Sequence, residues 1–121
     1  MITFVPKFNR TMRITFADKK LKRLAEDYSK CQKVLGVIRA KLFLQRLNDL
    51  YNAETLEDVR NLPGKYHELI ADRKGLWACN LDQPYRLIFE PHENPIPSDE
   101  AGRSIWIEIK GVEIIEITDY H

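Results

Sequence analysis

The chain of 121 residues carries 19 Lys/Arg, 18 Asp/Glu and 3 His, and its formal net charge at pH 7 is +1. This length fits one domain, 1–121, which can bury a modest core without disulfides or a structural metal. No apolar run reaches the ~20 residues that a membrane span needs, and the N-terminus lacks the apolar core of a signal peptide. We therefore expect a single cytoplasmic domain without a membrane partner.

The small net charge hides a strong asymmetry along the chain. Residues 1–46 hold 12 Lys/Arg against 3 Asp/Glu, whereas residues 47–121 hold 7 against 15. Either the basic residues simply cover the solvent face of two helices, or they form a positive face for a polyanion. The second interpretation rests on the fact that clustered charge steers phosphate partners even when the net charge is near zero.

The cysteines and histidines do not have metal-site spacing. Cys31 and Cys79 lie far apart within apolar patterns, which predicts buried free thiols in a reducing compartment. His67, His92 and His121 form neither a helical i,i+4 pair nor an HxH motif. We predict neither a metal site nor a cofactor.

The N-terminal half predicts a strand and two helices. Residues 12–16 alternate as a strand does, and Asp18 follows as a candidate N-cap. Two apolar stripes with helical spacing come next, and they are out of phase across Gly36. A phase break at a glycine indicates a C-cap and a turn, so we expect a helical hairpin. The stripes are Leu21, Leu24, Tyr28, Cys31 and Leu35, then Val37, Ala40, Leu44, Leu47 and Tyr51.

The chain after Gly64 has the pattern of strands. Residues 77–81 and 85–89 alternate on either side of Gln83-Pro84, which predicts a β-hairpin. The strand pattern resumes over 105–117, with a break at Lys110-Gly111.

Two segments stand outside these elements. Residues 91–104 are rich in proline and lack periodicity, so we predict a surface loop. Residues 1–11 are either an added strand or a loose arm. The expected fold class is α+β: an N-terminal strand, a helical hairpin, then a mainly antiparallel sheet of three or more strands.

Several side chains suited to proton transfer or phosphate binding stand out. Tyr120 and His121 end the chain directly after the apolar alternation 112–117, which would fix them to the sheet, whereas most termini are frayed. Arg86 lies within a predicted strand, where an arginine is costly unless it is paired or faces a ligand. The alternative for Arg86 is an ion pair with Glu90.

Two further features lie between the helices and the hairpin. His67 is a lone histidine near a strand, and such residues are more often structural. Asp72-Arg73-Lys74-Gly75 is either a solvated turn or a phosphate-facing loop, because it offers two cations and an unshielded backbone.

These features form an ordered series over residues 12–121. It reads Leu62-Pro63-Gly64-Lys65-Tyr66-His67-Glu68-Leu69, Arg73-Lys74-Gly75-Leu76-Trp77, Tyr85-Arg86-Leu87-Ile88-Phe89 and Asp119-Tyr120-His121. The series resembles the host-inhibition-of-growth B (HigB) toxins of the RelE-like superfamily. That resemblance implies a metal-independent endoribonuclease that cuts mRNA, typically on the translating ribosome. It also implies a hetero-oligomer with a silencing helix-turn-helix antitoxin of the HigA type.

The resemblance assigns catalytic positions to His67, Arg86, Tyr120 and His121. Cleavage without a metal needs a base for the ribose 2′-OH, a cation for the phosphorane and an acid for the departing 5′-oxygen. Arg86 is expected to bind the phosphate, His121 to protonate the leaving group, and His67 or Tyr120 to act as base. Tyrosine is a poor base at its usual pKa of about 10, which favours His67.

The chain departs from the family pattern in one place. Many relatives carry Lys-Gly after the His-x-Leu, where this chain has Ile70-Ala71, so one cation is missing. Arg73 or Lys74 of the same loop could replace it in RNA binding. Two alternatives to an active nuclease therefore stand: a non-enzymatic relative that poisons a protein target such as gyrase, and an attenuated homologue that acts with its antitoxin as co-repressor.

Overall fold

The computed structural model describes residues 11–119, which form a mixed sheet and three helices. Short 3₁₀ helices occur at Leu56–Val59, Ala71–Arg73 and Trp106–Glu108. Tyr120, His121 and nearly all of the predicted N-terminal strand or arm lie outside the described residues. The main elements are β1 (Arg13–Phe16), α1 (Lys19–Glu26), α2 (Tyr28–Leu35), α3 (Val37–Asn52), β2 (His67–Glu68), β3 (Trp77–Asn80), β4 (Tyr85–Pro91) and β5 (Gly111–Asp119).

The strands are ordered β1-β5-β4-β3-β2 in one sheet. β1 runs parallel to β5, and the other neighbouring pairs are antiparallel. The helices and one face of the sheet share a continuous core, in which Phe43 and Leu47 of α3 belong to the same cluster as Leu87 and Phe89 of β4. The predicted α+β class, with an N-terminal strand followed by helices and a mainly antiparallel sheet, is confirmed.

The first predicted helix is divided into two. Asp18 caps α1 as expected, since its carboxylate accepts a hydrogen bond from the Leu21 amide. The chain then leaves the helical conformation at Asp27, whose side chain caps α2 through the Lys30 amide at 3.1 Å. The division was not predicted, because both halves keep their apolar residues, Leu24 and Cys31 among them, in the same core.

Helix α3 begins after Gly36, as predicted, but its buried face is rotated from the expected stripe. Val37 and Tyr51 of that stripe are exposed. The helix instead buries Ala40, Phe43, Arg46, Leu47 and Leu50. Only Ala40 and Leu47 are common to both sets. Arg46 is the unexpected member, and it is buried because its Nε donates to the Asn80 carbonyl at 2.8 Å.

The C-terminal strand is shorter than its sequence pattern. Residues 106–108 form a 3₁₀ helix that buries Trp106, and β5 begins only at Gly111. The predicted break at Lys110-Gly111 thus marks the true start of the strand. A bulge in β5 interrupts its pairing with β4 beside Ile88 and Phe89.

The two cysteines are free and buried, as predicted. Burial of Cys79 makes the free energy of unfolding decrease with rising pH in the alkaline range. Burial raises the pKa of Cys79 from 9.0 to about 12, against a smaller opposing effect of Arg46. The thiol therefore stays neutral in the folded chain at a pH where it ionises in the unfolded chain. Its contribution to the free energy of unfolding is complete below pH 9 and is lost as the pH rises through about 12.

We expect the free energy of unfolding, measured by urea titration, to fall by about 1 kcal/mol between pH 9 and pH 10 because of this group. Cys79→Ala should reduce this fall, whatever it does to the stability at pH 7. An identical slope in the variant would show that Cys79 is not the group responsible.

Candidate functional site

The side of the sheet that faces away from the helices carries a row of residues across four strands. Ala78 is in register with His67 on one side and with Ile88 on the other, and Ile88 is in register with Glu116. Residues paired directly across strands point to the same side of a sheet. His67, Ala78, Ile88 and Glu116 therefore define one surface, which we call the outer face.

Arg86 lies on the same outer face, in the next row. It is two residues from Ile88 along β4, and it is in register with Asn80 and Thr118. Standard strand spacing puts the Cα atoms of His67 and Arg86 roughly 12 Å apart. An arginine side chain is long enough to cross much of that distance.

His67 is held in a defined tautomer by the backbone before it. Its Nδ1 lies 2.6 Å from the carbonyl oxygen of Lys65. A carbonyl can only accept a hydrogen bond, so Nδ1 carries the proton, and the Nε2 of the neutral ring keeps its lone pair. A histidine in this state is ready to accept a proton at Nε2.

A tight turn produces this contact. Gly64 and Lys65 both have positive φ, at 119° and 51°. The Gly64 carbonyl accepts from the Asn80 amide at 2.7 Å. A Cβ on Gly64 would lie 2.6 Å from the Nε of the buried Arg46, so only glycine can pack against that guanidinium. The predicted break at Leu62-Pro63-Gly64 thus leads into the turn that positions the Lys65 carbonyl against the His67 ring.

Arg73, one of the two predicted RNA-binding cations, reaches the outer face. Its Nη2 forms an ion pair with Glu116 Oε2 at 3.0 Å. Glu116 was missed by sequence reasoning, because no local pattern links two residues 43 positions apart. The site therefore holds an arginine–carboxylate pair as well as His67 and Arg86.

The departure from the family pattern has a visible backbone counterpart. Ala71 has φ of 60°, a conformation that favours glycine, which is the residue that the resemblance leads us to expect at this position. Its neighbour Ile70 is 80% exposed. The backbone at residue 71 thus has a conformation typical of glycine, and a solvent-exposed isoleucine precedes it.

Lys74 faces a different part of the molecule. It lines a cavity of about 500 Å³ at the far end of β4, together with Glu90, His92, Glu93 and Glu113. The two cations of the predicted phosphate-facing loop are therefore divided between two surroundings: Arg73 is paired on the outer face, and Lys74 stands among carboxylates.

The last described residues of β5 lie beside Arg86 in the sheet. The last of them, Asp119, is in register with Tyr85, and Thr118 is in register with Arg86. The predicted catalytic residues Tyr120 and His121 follow next in the sequence, and both lie outside the described residues. Their catalytic roles stay predictions.

The basic half of the chain covers the helices on the other side of the sheet. Lys19, Lys20, Arg23 and Lys30 surround a groove of about 440 Å³ next to Leu24 and Val34. Within residues 11–119, none of these four cations is in an ion pair, in contrast to Arg39, Arg60, Arg73 and Arg103. They cover a solvent-exposed helical face, as one of the two interpretations expected, and the polyanion interpretation stays a prediction.

The described part of the chain has neither a cluster of metal ligands nor a membrane-spanning helix. Residues 11–119 contain no group of three or more His, Cys, Asp or Glu side chains arranged to hold a metal ion. Within the same residues, no helix has both the length and the apolar character needed to cross a bilayer.

Comparison with solved structures shows which known proteins share this fold. The YoeB dimer from Staphylococcus aureus matches with a TM-score of 0.52 and 15% identity, covering 92% of this chain and 98% of that chain. A YoeB/ParE toxin from Agrobacterium tumefaciens (TM-score 0.47, 12% identity, 91% and 100% coverage) and a YoeB–YefM complex from S. aureus (0.43, 18%, 91% and 97%) are also similar. The first match shows the fold of the RelE-like toxins.

Comparison of the sequence with models of protein families shows the family of this chain. A family model of HigB-like toxins, described as RelE-like toxins of type II toxin–antitoxin systems, matches residues 14–99. The chain therefore belongs to the HigB-like toxin family, and the resemblance stated from sequence is confirmed. No curated protein matches the chain significantly in sequence.

Proposed function

We propose that this chain is a metal-independent endoribonuclease that cuts mRNA on the translating ribosome. One observation carries the proposal. His67 is fixed with Nε2 available as a proton acceptor, on the same face of the sheet as Arg86. Membership of a toxin family supplies the biological setting, since its type II systems pair a toxin with an antitoxin.

The groups suit in-line attack by a ribose 2′-hydroxyl. His67 Nε2 takes the proton of that hydroxyl, with Tyr120 as the alternative base. Arg86 stabilises the charge that builds up on the phosphorane. His121 protonates the departing 5′-oxygen. Atoms balance if the products are a 2′,3′-cyclic phosphate and a 5′-hydroxyl, because the 2′-oxygen replaces the 5′-oxygen on phosphorus.

The proposal extends to partners and place of action. Arg73 and Lys74 contribute to RNA binding, and a helix-turn-helix antitoxin silences the chain in a hetero-oligomer. The enzyme acts in the cytoplasm, where translating ribosomes supply the mRNA. The cations of α1 and α2 that form no ion pair within residues 11–119 are available for further contacts with ribosomal RNA.

The test is to purify the chain and incubate it with an RNA oligonucleotide, either alone in the presence of EDTA or with 70S ribosomes in a buffer whose Mg²⁺ keeps the ribosomes assembled. We expect cleavage products with 5′-hydroxyl ends, and new transcript ends in cells in which the chain is induced. Products with 5′-phosphate ends that disappear with EDTA would contradict the proposed chemistry. Growth arrest with intact transcripts would favour a non-enzymatic toxin.

Restoring the missing cation should increase activity. Ile70 is largely exposed, so Ile70→Lys costs little stability and adds a positive charge beside the outer face. We expect the single-turnover cleavage rate at subsaturating RNA to rise about fivefold, as one added surface charge near a phosphate can supply. The matched control is Ile107→Lys, at another exposed isoleucine. Equal effects of the two substitutions would mean that general charge, and not this position, is responsible.

A further inference from the structure

Arg73 reaches the outer face from the loop between β2 and β3. The loop leads into β3, whereas the partner of Arg73, Glu116, lies on β5 on the far side of β4. The ion pair therefore connects this loop to β5 across the position of β4. A side chain so placed would meet RNA bound on the outer face.

The loop that carries Arg73 is anchored at both ends. Leu69 is buried against Ala78 and Ile88, and Leu76 packs on the same cluster. The Leu69 amide donates to the Leu76 carbonyl at 2.9 Å, and the Leu76 amide donates to the Arg73 carbonyl at 3.1 Å. The backbone of Arg73 is thus fixed, and the direction of its long side chain is the remaining freedom.

Glu116 removes that freedom. We propose that Glu116 is a positioning residue that holds the Arg73 guanidinium over the outer face, where Arg73 serves as the phosphate-binding cation that Ile70 does not supply. This inference rests on the proposed RNA-cutting site. The side chains are 34% and 45% exposed, and ion pairs so accessible to water contribute little to stability. The value of the pair lies in its geometry.

The pair leaves Arg73 able to bind a phosphate. A guanidinium has five N–H donors in a fixed fork, and the contact with Glu116 is made by Nη2. The remaining donors can face an RNA phosphate while the ion pair persists. Glu116 carries a negative charge, so its direct effect on RNA is repulsive, and any favourable effect must pass through Arg73.

This opposition of signs makes the inference testable by a double-mutant cycle. The probe is a 2′-O-methyl RNA oligonucleotide, which lacks the attacking hydroxyl and stays intact. Its affinity is measured by fluorescence anisotropy for wild type, Glu116→Ala, Arg73→Ala and the double variant, with circular dichroism to check folding. We expect Glu116→Ala to weaken binding about fivefold when Arg73 is present and not to weaken it when residue 73 is alanine.

Two variants complete the design. Glu116→Gln keeps an acceptor for Arg73 and should bind more tightly than Glu116→Ala. Glu113→Ala is the matched control, because Glu113 lies on the same strand and carries the same charge but accepts from Thr15 at 2.9 Å, so its removal should not weaken binding.

Each outcome decides the matter. Tighter binding by Glu116→Ala would overturn the inference, because it would show that Glu116 repels RNA without positioning Arg73. An equal loss in both backgrounds, or no binding by wild type, would also overturn it. The assay does not need cleavage, so a chain that binds with the expected coupling but does not cut would refute the proposed nuclease while supporting this inference.

Discussion

Arg86→Ala is expected to lower the single-turnover rate of RNA cleavage by about 10²–10³-fold, as is usual when a group that stabilises transition-state charge is removed. Arg86 lies on the outer face of a central strand, one row from His67. Its loss would leave the phosphorane without its proposed cation. The cleavage rate of Arg86→Lys should lie between those of wild type and Arg86→Ala, because lysine keeps the charge but loses the planar fork of donors.

The control for Arg86 is Arg13→Ala. Arg13 is an exposed arginine on the edge strand β1, two places from β4 in the sheet, so its removal changes the net charge equally at a distance from His67 and Arg86. Comparable losses in the two variants would assign the effect to long-range charge. Full activity of Arg86→Ala would remove Arg86 from the site.

His67→Ala is expected to lower the same rate by about 100-fold or more, in the range observed for general acid–base groups. The hydrogen bond from Nδ1 to the Lys65 carbonyl directs the basic nitrogen outward, and alanine removes both. Because the cavity left by the ring opens to solvent, added imidazole should restore part of the activity. Restoration would identify the missing group as a base and not only as a structural side chain.

His92 supplies the matched histidine control. It follows β4, at the opposite end of that strand from Arg86, and its ring is hydrogen-bonded to Thr15 Oγ1 at 2.7 Å. His92→Ala should cleave RNA at the wild-type rate. If His67→Ala also retained full activity, the role of base would pass to Tyr120.

Local signals in the sequence predicted those parts of the fold that depend on neighbouring residues. The cap at Asp18 and the turn at Gly36 were identified because each acts on a backbone within a few positions. The stripe on α3 was misjudged, since Val37 and Tyr51 fit the helical spacing but face solvent. Spacing alone cannot choose between neighbouring faces of a helix when both contain apolar residues.

Parts of the site that depend on distant contacts were outside the reach of sequence reasoning. The order of His67, Arg73 and Arg86 along the chain was enough to suggest a common function. The ion pair from Arg73 to Glu116 depends on the sheet order, and a predicted hairpin does not fix which strand stands two places away. The separation of Lys74 from Arg73 likewise follows from the turn of the loop in three dimensions.

The buried Arg46 joins helix α3 to the turn that precedes His67. Its guanidinium donates a hydrogen bond to the Asn80 carbonyl and packs against Gly64, where there is no room for a Cβ. The turn at Gly64 and Lys65 in turn orients the His67 ring. The orientation of the His67 imidazole and the packing of α3 thus both depend on Arg46. A genetic selection for survivors of toxicity should accordingly recover substitutions at Arg46 and Gly64 together with those of the RNA-facing residues, although neither would ever contact RNA.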